Sequence, residues 1–124
     1  DELFLVVNGD IWSDYDFSRA ACAEKMLAHM VMVDNPEHHR KGDFALRGGL
    51  VSESAAERLT FSGIGLYRPA LFHGMARGAF PLAPLLRRAM AQGRVSGEHF
   101  TGAWVDVGTP ERLQRLSRRL LGGR

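Results

Sequence analysis

Two carboxylates near opposite ends of this chain sit where a hard cation could be held. The first is Asp10. It closes Leu3-Phe4-Leu5-Val6-Val7-Asn8-Gly9-Asp10, an apolar run that stops abruptly at turn residues. Such a run reads as a buried, parallel strand. In open α/β sheets the ligand crevice lies at the carboxyl ends of the strands. The second carboxylate is Asp106, within Gly102-Ala103-Trp104-Val105-Asp106-Val107-Gly108-Thr109-Pro110-Glu111. Magnesium prefers one or two carboxylates, with substrate phosphates completing its shell. Two strand-end carboxylates far apart in sequence suit that role. The plainer alternatives are a turn-former or cap for Asp10 and a hairpin-edge carboxylate for Asp106.

The elements that would position them alternate between strand and helix. Residues 3–8 read as a strand, and 14–22 as a turn and short helix capped by Asp14 or Asp16. Residues 26–33 form a second strand, apolar except for His29 and stopped by Asp34-Asn35-Pro36. Residues 37–43 are a polar loop. Phe44-Ala45-Leu46 and Leu50-Val51 flank Arg47-Gly48-Gly49 as a hairpin. Residues 59–67 form a strand with two glycines, Gly63 and Gly65; strand glycines mark close approach of a ligand or another backbone. A short turn follows at 69–72 and a helix at 82–90. Residues 95–100 and 103–107 read as a hairpin through Thr101-Gly102. A last helix spans 110–121, with Thr109 as N-cap and Pro110 at its first position. The class is α/β with a mixed sheet.

The bulk numbers exclude several functions. One domain accounts for 124 residues. A hydrophobic fraction of 45% permits a packed core. No apolar run approaches the roughly 20 residues of a membrane helix, and the first residues lack the features of a signal peptide. The single cysteine, Cys22, cannot close an internal disulfide, which fits a reducing cytoplasm. A net charge of +2 is too small to argue for nucleic acid. Arg112, Arg115, Arg118, Arg119 and Arg124 crowd the C-terminus. No aromatic residues interleave with them, so they read as the solvated face of a helix rather than a nucleic-acid tail.

Three segments together resemble the sugar-1-phosphate nucleotidyltransferases: Val7-Asn8-Gly9-Asp10, Phe61-Ser62-Gly63-Ile64-Gly65-Leu66-Tyr67, and Trp104-Val105-Asp106-Val107-Gly108-Thr109-Pro110-Glu111. Asn35-Pro36 with Gly42-Asp43-Phe44, and Phe80-Pro81-Leu82-Ala83-Pro84-Leu85-Leu86, are most similar to the small uridylyltransferases of Gram-negative peptidoglycan recycling and to mannose-1-phosphate guanylyltransferase-like proteins. The resemblance spans the whole chain, with one departure. Members of this family begin with a strand and a glycine-rich loop, Gly-x-Gly-x-Arg with a nearby lysine, that cradles nucleotide phosphates. No such loop is present. The chain therefore resembles the C-terminal part of a Rossmann-like nucleotidyltransferase domain with a mixed, mostly parallel sheet. Its N-terminal nucleotide-binding half is expected to be cleaved, unresolved or supplied by another chain.

The resemblance implies the reaction. A sugar 1-phosphate oxygen attacks the α-phosphorus of a nucleoside triphosphate, and pyrophosphate leaves. The sugar phosphate of choice is N-acetylmuramate 1-phosphate and the triphosphate UTP. The nucleophile is already an anion, so charge neutralisation and alignment carry the catalysis. Asp10 and Asp106 are the expected Mg2+ ligands and catalytic residues. Asn8, Asn35, Gly42 and Gly63 are the expected substrate contacts, against plainer readings as turn, terminator or packing residues. His38-His39 lack zinc-site spacing and read as solvated. Trp104 reads as core rather than as a stacking platform. Competing readings are guanylyl or thymidylyl transfer on the same fold, and a silent sugar-phosphate-binding relative that regulates a partner. Neither nucleic acid nor membrane is an expected partner.

Overall fold

The computed structural model describes residues 3–53, 57–72 and 82–106. The expected helix over 110–121, the terminal arginines, and the Val107–Glu111 part of the third motif lie outside these.

A six-stranded sheet has the order β1-β6-β3-β7-β5-β4. Its strands are β1 (Phe4–Val7), β3 (Ala28–Val33), β4 (Ala45–Arg47), β5 (Leu50–Ser52), β6 (Thr60–Tyr67) and β7 (Val95–His99). A separate two-stranded ribbon pairs β2 (Ile11–Ser13) with β8 (Trp104–Asp106). The sheet is mixed, as expected, but among the described pairings only β3 with β7 is parallel. The expectation of a mostly parallel sheet does not hold for this part of the fold.

Central β3 explains the layering. Its sequence, Ala-His-Met-Val-Met-Val, is apolar at successive positions because both faces are covered. Ala28, Met30 and Met32 face a core built with Val51, Tyr67, Leu85 and Leu86. Val31, on the opposite face, packs with Tyr15 and Ile64. The helix α1 (Leu82–Ala91) buries Leu85, Leu86, Ala89 and Met90 along one stripe. It ends at Gly93, whose φ of 68° is left-handed. The Arg94 N–H reaches the Ala89 carbonyl at 3.0 Å and the Gly93 N–H the Met90 carbonyl at 3.0 Å, a Schellman ending.

Three expectations are corrected. β1 is antiparallel to β6 and stands at the end of the sheet order. Leu3 to Val7 are each 38–42% exposed. An apolar run signals a strand able to be buried on both faces, but here Phe72 stacks on Phe4 at 5.6 Å and the strand otherwise stays partly exposed. β7 and β8 form no hairpin with each other: β7 joins the main sheet while β8 pairs with β2, a strand in a stretch to which the sequence reading gave no element. The segment 14–22 holds only a 3₁₀ turn, Phe17–Arg19, capped by Asp16, whose carboxylate accepts from the Ser18 N–H at 3.0 Å.

Arg68 closes the far end of the sheet. Its buried guanidinium donates to the Met26 carbonyl at 2.8 Å, the Cys22 carbonyl at 3.0 Å and the Ala23 carbonyl at 3.1 Å. The Ala23 carbonyl also accepts from the Met26 N–H at 2.9 Å, so the Cys22 and Met26 carbonyls depend most on Arg68. Arg68→Leu should therefore destabilise the intact protein by about 3 kcal/mol, the scale of stranding buried acceptors of a charged donor. Urea unfolding measures it, and a loss near zero would show that the carbonyls find other donors. Cys22 is buried beside this knot, and burial pushes its thiol pKa up, so it behaves as a small core residue.

Candidate functional site

The site is built where β6 buckles. Met30 pairs with Gly65 and Met32 with Phe61, so Ser62-Gly63-Ile64 stand opposite Val31 alone. This bulge rests on Gly63, whose φ is 88°. The Ser62 hydroxyl accepts from the Ile64 N–H at 3.0 Å and stabilises the turned backbone. The Gly63 carbonyl accepts from the Asn8 N–H at 2.9 Å. The Ser62 carbonyl accepts from the Trp104 indole N–H at 2.9 Å. The bulge thus ties the end of β1 and the start of β8 to one point.

The ribbon supplies the carboxylates. Ile11 lies opposite Asp106 in the β2–β8 register, and Asp10 directly precedes Ile11. Asp10 and Asp106 both line one cavity of about 320 Å³, together with Asn8, Ser62, Gly63 and Trp104. Residues almost a full chain apart in sequence therefore line one cavity.

Two of the expected substrate contacts do other work. The Asn35 carboxamide is consumed internally. It accepts from the Thr60 hydroxyl at 2.8 Å and donates to the Arg58 carbonyl at 2.8 Å and the Arg40 carbonyl at 3.0 Å. Gly42, with φ of 69°, packs so tightly that a Cβ there would stand 2.8 Å from the Arg58 carbonyl oxygen and from Asn35 Oδ1. Neither residue is among the described lining of the cavity. Together they bracket the loop that carries the next residues.

That loop brings in His38 and His39, which were expected to be solvated. His39 hydrogen-bonds Asp43 at 2.8 Å, and the other Asp43 oxygen accepts from the Phe61 N–H at 2.9 Å, fixing the loop to β6. His38 consequently faces the cavity, its Nε2 3.5 Å from Asp106 Oδ2. The sequence signal was weak: a histidine pair in a polar loop points nowhere until Asn35 and Asp43 fix the loop. Trp104, expected in the core, instead forms part of the cavity wall.

The described lining offers carboxylate oxygens from Asp10 and Asp106, a carboxamide oxygen from Asn8 and imidazole nitrogens from His38 and His39, with no thiolate. Among the described residues no group of three or more His, Cys, Asp or Glu side chains could hold a metal by itself.

The chain is similar in sequence and in fold to sugar-1-phosphate nucleotidyltransferases. It is 45% identical over 120 residues, 90% of the chain, to the N-acetylmuramate alpha-1-phosphate uridylyltransferase of Neisseria meningitidis serogroup B. Its fold matches that of a Bacillus anthracis protein assigned as a glucose-1-phosphate thymidylyltransferase and solved with sucrose, with a TM-score of 0.66 at 20% identity over 91% of this chain. The chain spans about half of each, 52% of the first and 52% of the second. No family model matches it. No helix among the described residues is long and apolar enough to cross a membrane.

Proposed function

We propose that the chain is the C-terminal, sugar-phosphate- and metal-binding half of a magnesium-dependent nucleotidyltransferase that joins N-acetylmuramate 1-phosphate to UTP and releases pyrophosphate. The observation that carries this reading is the meeting of Asp10 and Asp106 in one cavity. The 45% identity to a uridylyltransferase favours uridylyl over thymidylyl transfer, for which only the fold at 20% identity speaks. The intact protein would act in the cytoplasm, in cell-wall recycling.

In this half the residues bind and align. Asp10 and Asp106 would hold Mg2+, which when bound supplies Lewis-acid neutralisation of phosphate charge. Asn8, held by the Gly63 carbonyl, presents its carboxamide to the sugar phosphate. The Trp104 wall and the Gly63 bulge shape the pocket and limit the poses of the attacking oxygen. The upstream half would supply the backbone N–H groups that cradle the triphosphate. It would also cover β1, whose apolar side chains are exposed on both faces.

The test is pyrophosphate release by the intact protein across UTP, GTP and dTTP, each with N-acetylmuramate, mannose and glucose 1-phosphates. Fastest turnover with UTP and N-acetylmuramate 1-phosphate is expected. Release with no pair would overturn the enzymatic reading, and preference for another pair would overturn the substrate assignment.

A further inference from the structure

A chain of polar side chains crosses the sheet face beneath the β2–β8 ribbon, outside the cavity just described. The Tyr15 hydroxyl donates to Glu98 Oε1 at 2.5 Å. The same oxygen meets His29 Nε2 at 3.1 Å, and His29 Nδ1 meets the Ser96 hydroxyl at 2.8 Å. With Nε2 carrying the proton, His29 donates to Glu98 and accepts from Ser96, so every member is satisfied.

The placement of this chain is specific. Tyr15 follows β2 by two residues, and Glu98 lies on β7, just before the connection into β8. His29 lies on β3, beside Ser96 in the parallel β3–β7 register. The base of the ribbon is closed by further bonds. The Ser13 hydroxyl donates to the Ala103 carbonyl at 2.7 Å, and the Ala103 N–H donates to Asp14 Oδ1 at 2.8 Å. The ribbon is thus fastened to the central sheet at one end through Tyr15 and Glu98, and near the cavity through Trp104 and Ser62.

We propose that Tyr15, Glu98 and His29 are positioning residues: their hydrogen-bonded clamp sets the angle of the ribbon and hence where its Asp10 and Asp106 stand against Asn8 and the Gly63 bulge. This rests on the reading of those carboxylates as metal ligands. Packing alone would not need the clamp. The Tyr15 ring already makes edge contacts with Phe17 and Phe100, at centroid distances of 5.5 and 5.2 Å. Phenylalanine would keep both contacts. The hydroxyl adds direction, through a short bond to a charged acceptor. Hydrogen-bond partners that orient metal ligands carry affinity without touching the ion.

The experiment is Mn2+ binding, followed by electron paramagnetic resonance, in the intact protein and in Tyr15→Phe, Glu98→Ala, Glu98→Gln and Asp106→Asn variants. Thermal unfolding without metal is measured on each. Tyr15→Phe and Glu98→Ala should weaken Mn2+ binding about tenfold with the unfolding transition retained. Glu98→Gln, which keeps an acceptor oxygen for Tyr15, should restore most of the affinity. Binding within twofold of the unaltered protein in both Tyr15→Phe and Glu98→Ala would overturn the clamp. If Tyr15→Phe fails to fold, the Glu98→Ala and Glu98→Gln pair decides. Unchanged binding in Asp106→Asn would instead overturn the metal reading on which the clamp depends.

Discussion

Asp106→Asn in the intact protein is expected to lower turnover at least ~100-fold while leaving the fold standing, and Asp10→Asn should do the same. A hundredfold loss corresponds to about 2.7 kcal/mol of transition-state stabilisation. That is modest beside the several kcal/mol a divalent cation supplies when two anions react. Asparagine matches aspartate in size, so the Ile11–Asp106 pairing and the ribbon geometry survive. What is lost is one negative charge in the cavity and its contact with His38, 3.5 Å away. Measuring kcat at saturating substrate, with Mg2+ raised until rates plateau, separates weaker metal binding from lost chemistry. Glu53→Gln is the control. Glu53 pairs with Arg87 at 2.9 Å on the surface, outside the cavity lining, and its loss should leave kcat unchanged. Near-normal turnover in either aspartate variant would remove that residue from the mechanism.

How far the sequence foretold the molecule depends on the range of the interaction involved. Strands with strong apolar patterns, β3 and β6, and the helix at 82–91 were legible, because burial on a face leaves a periodic trace. Asp10 and Asp106 stood out as candidates because acidic residues close apolar runs, and both line one cavity. Pairing partners were not legible. Residues 95–107 have hairpin-like spacing, yet β8 leaves the sheet to pair with β2. Nothing local records that choice, since it is made by Trp104 bonding to Ser62 across 42 positions. β1 was misjudged for a related reason: an apolar run states what a strand can tolerate, not what covers it. Asn35 and Gly42 were expected to contact substrate, and both carry tight internal contacts. A carboxamide with three internal hydrogen bonds and a glycine pressed against a carbonyl leave the same sequence signal as substrate contacts.

Gly63 is where conformation and site coincide, and Gly63→Ala is the second substitution of large expected effect. A side chain at φ of 88° is strained by about 1–3 kcal/mol whatever surrounds it. Here the new Cβ would also stand 2.8 Å from Asn8 Cβ, closer than carbon atoms approach. Either the bulge flattens, withdrawing the Gly63 carbonyl from the Asn8 N–H, or Asn8 moves and takes the end of β1 with it. Both outcomes displace the Asn8 carboxamide from the cavity. The combined cost is expected at about 2–4 kcal/mol of stability, with a rise in KM for the sugar 1-phosphate of about tenfold, the equivalent of one lost hydrogen bond. Gly48→Ala isolates the backbone strain, and its difference from Gly63→Ala gives the steric part. Gly48 has φ of 56° in the β4–β5 turn, and a Cβ there meets nothing within 4 Å. It should cost only the backbone strain and leave KM unchanged. Urea unfolding and steady-state kinetics on the two variants therefore read different things. Equal stability losses would show that Asn8 yields without cost. An unchanged KM in Gly63→Ala would mean that the bulge shapes the fold without placing Asn8 against substrate.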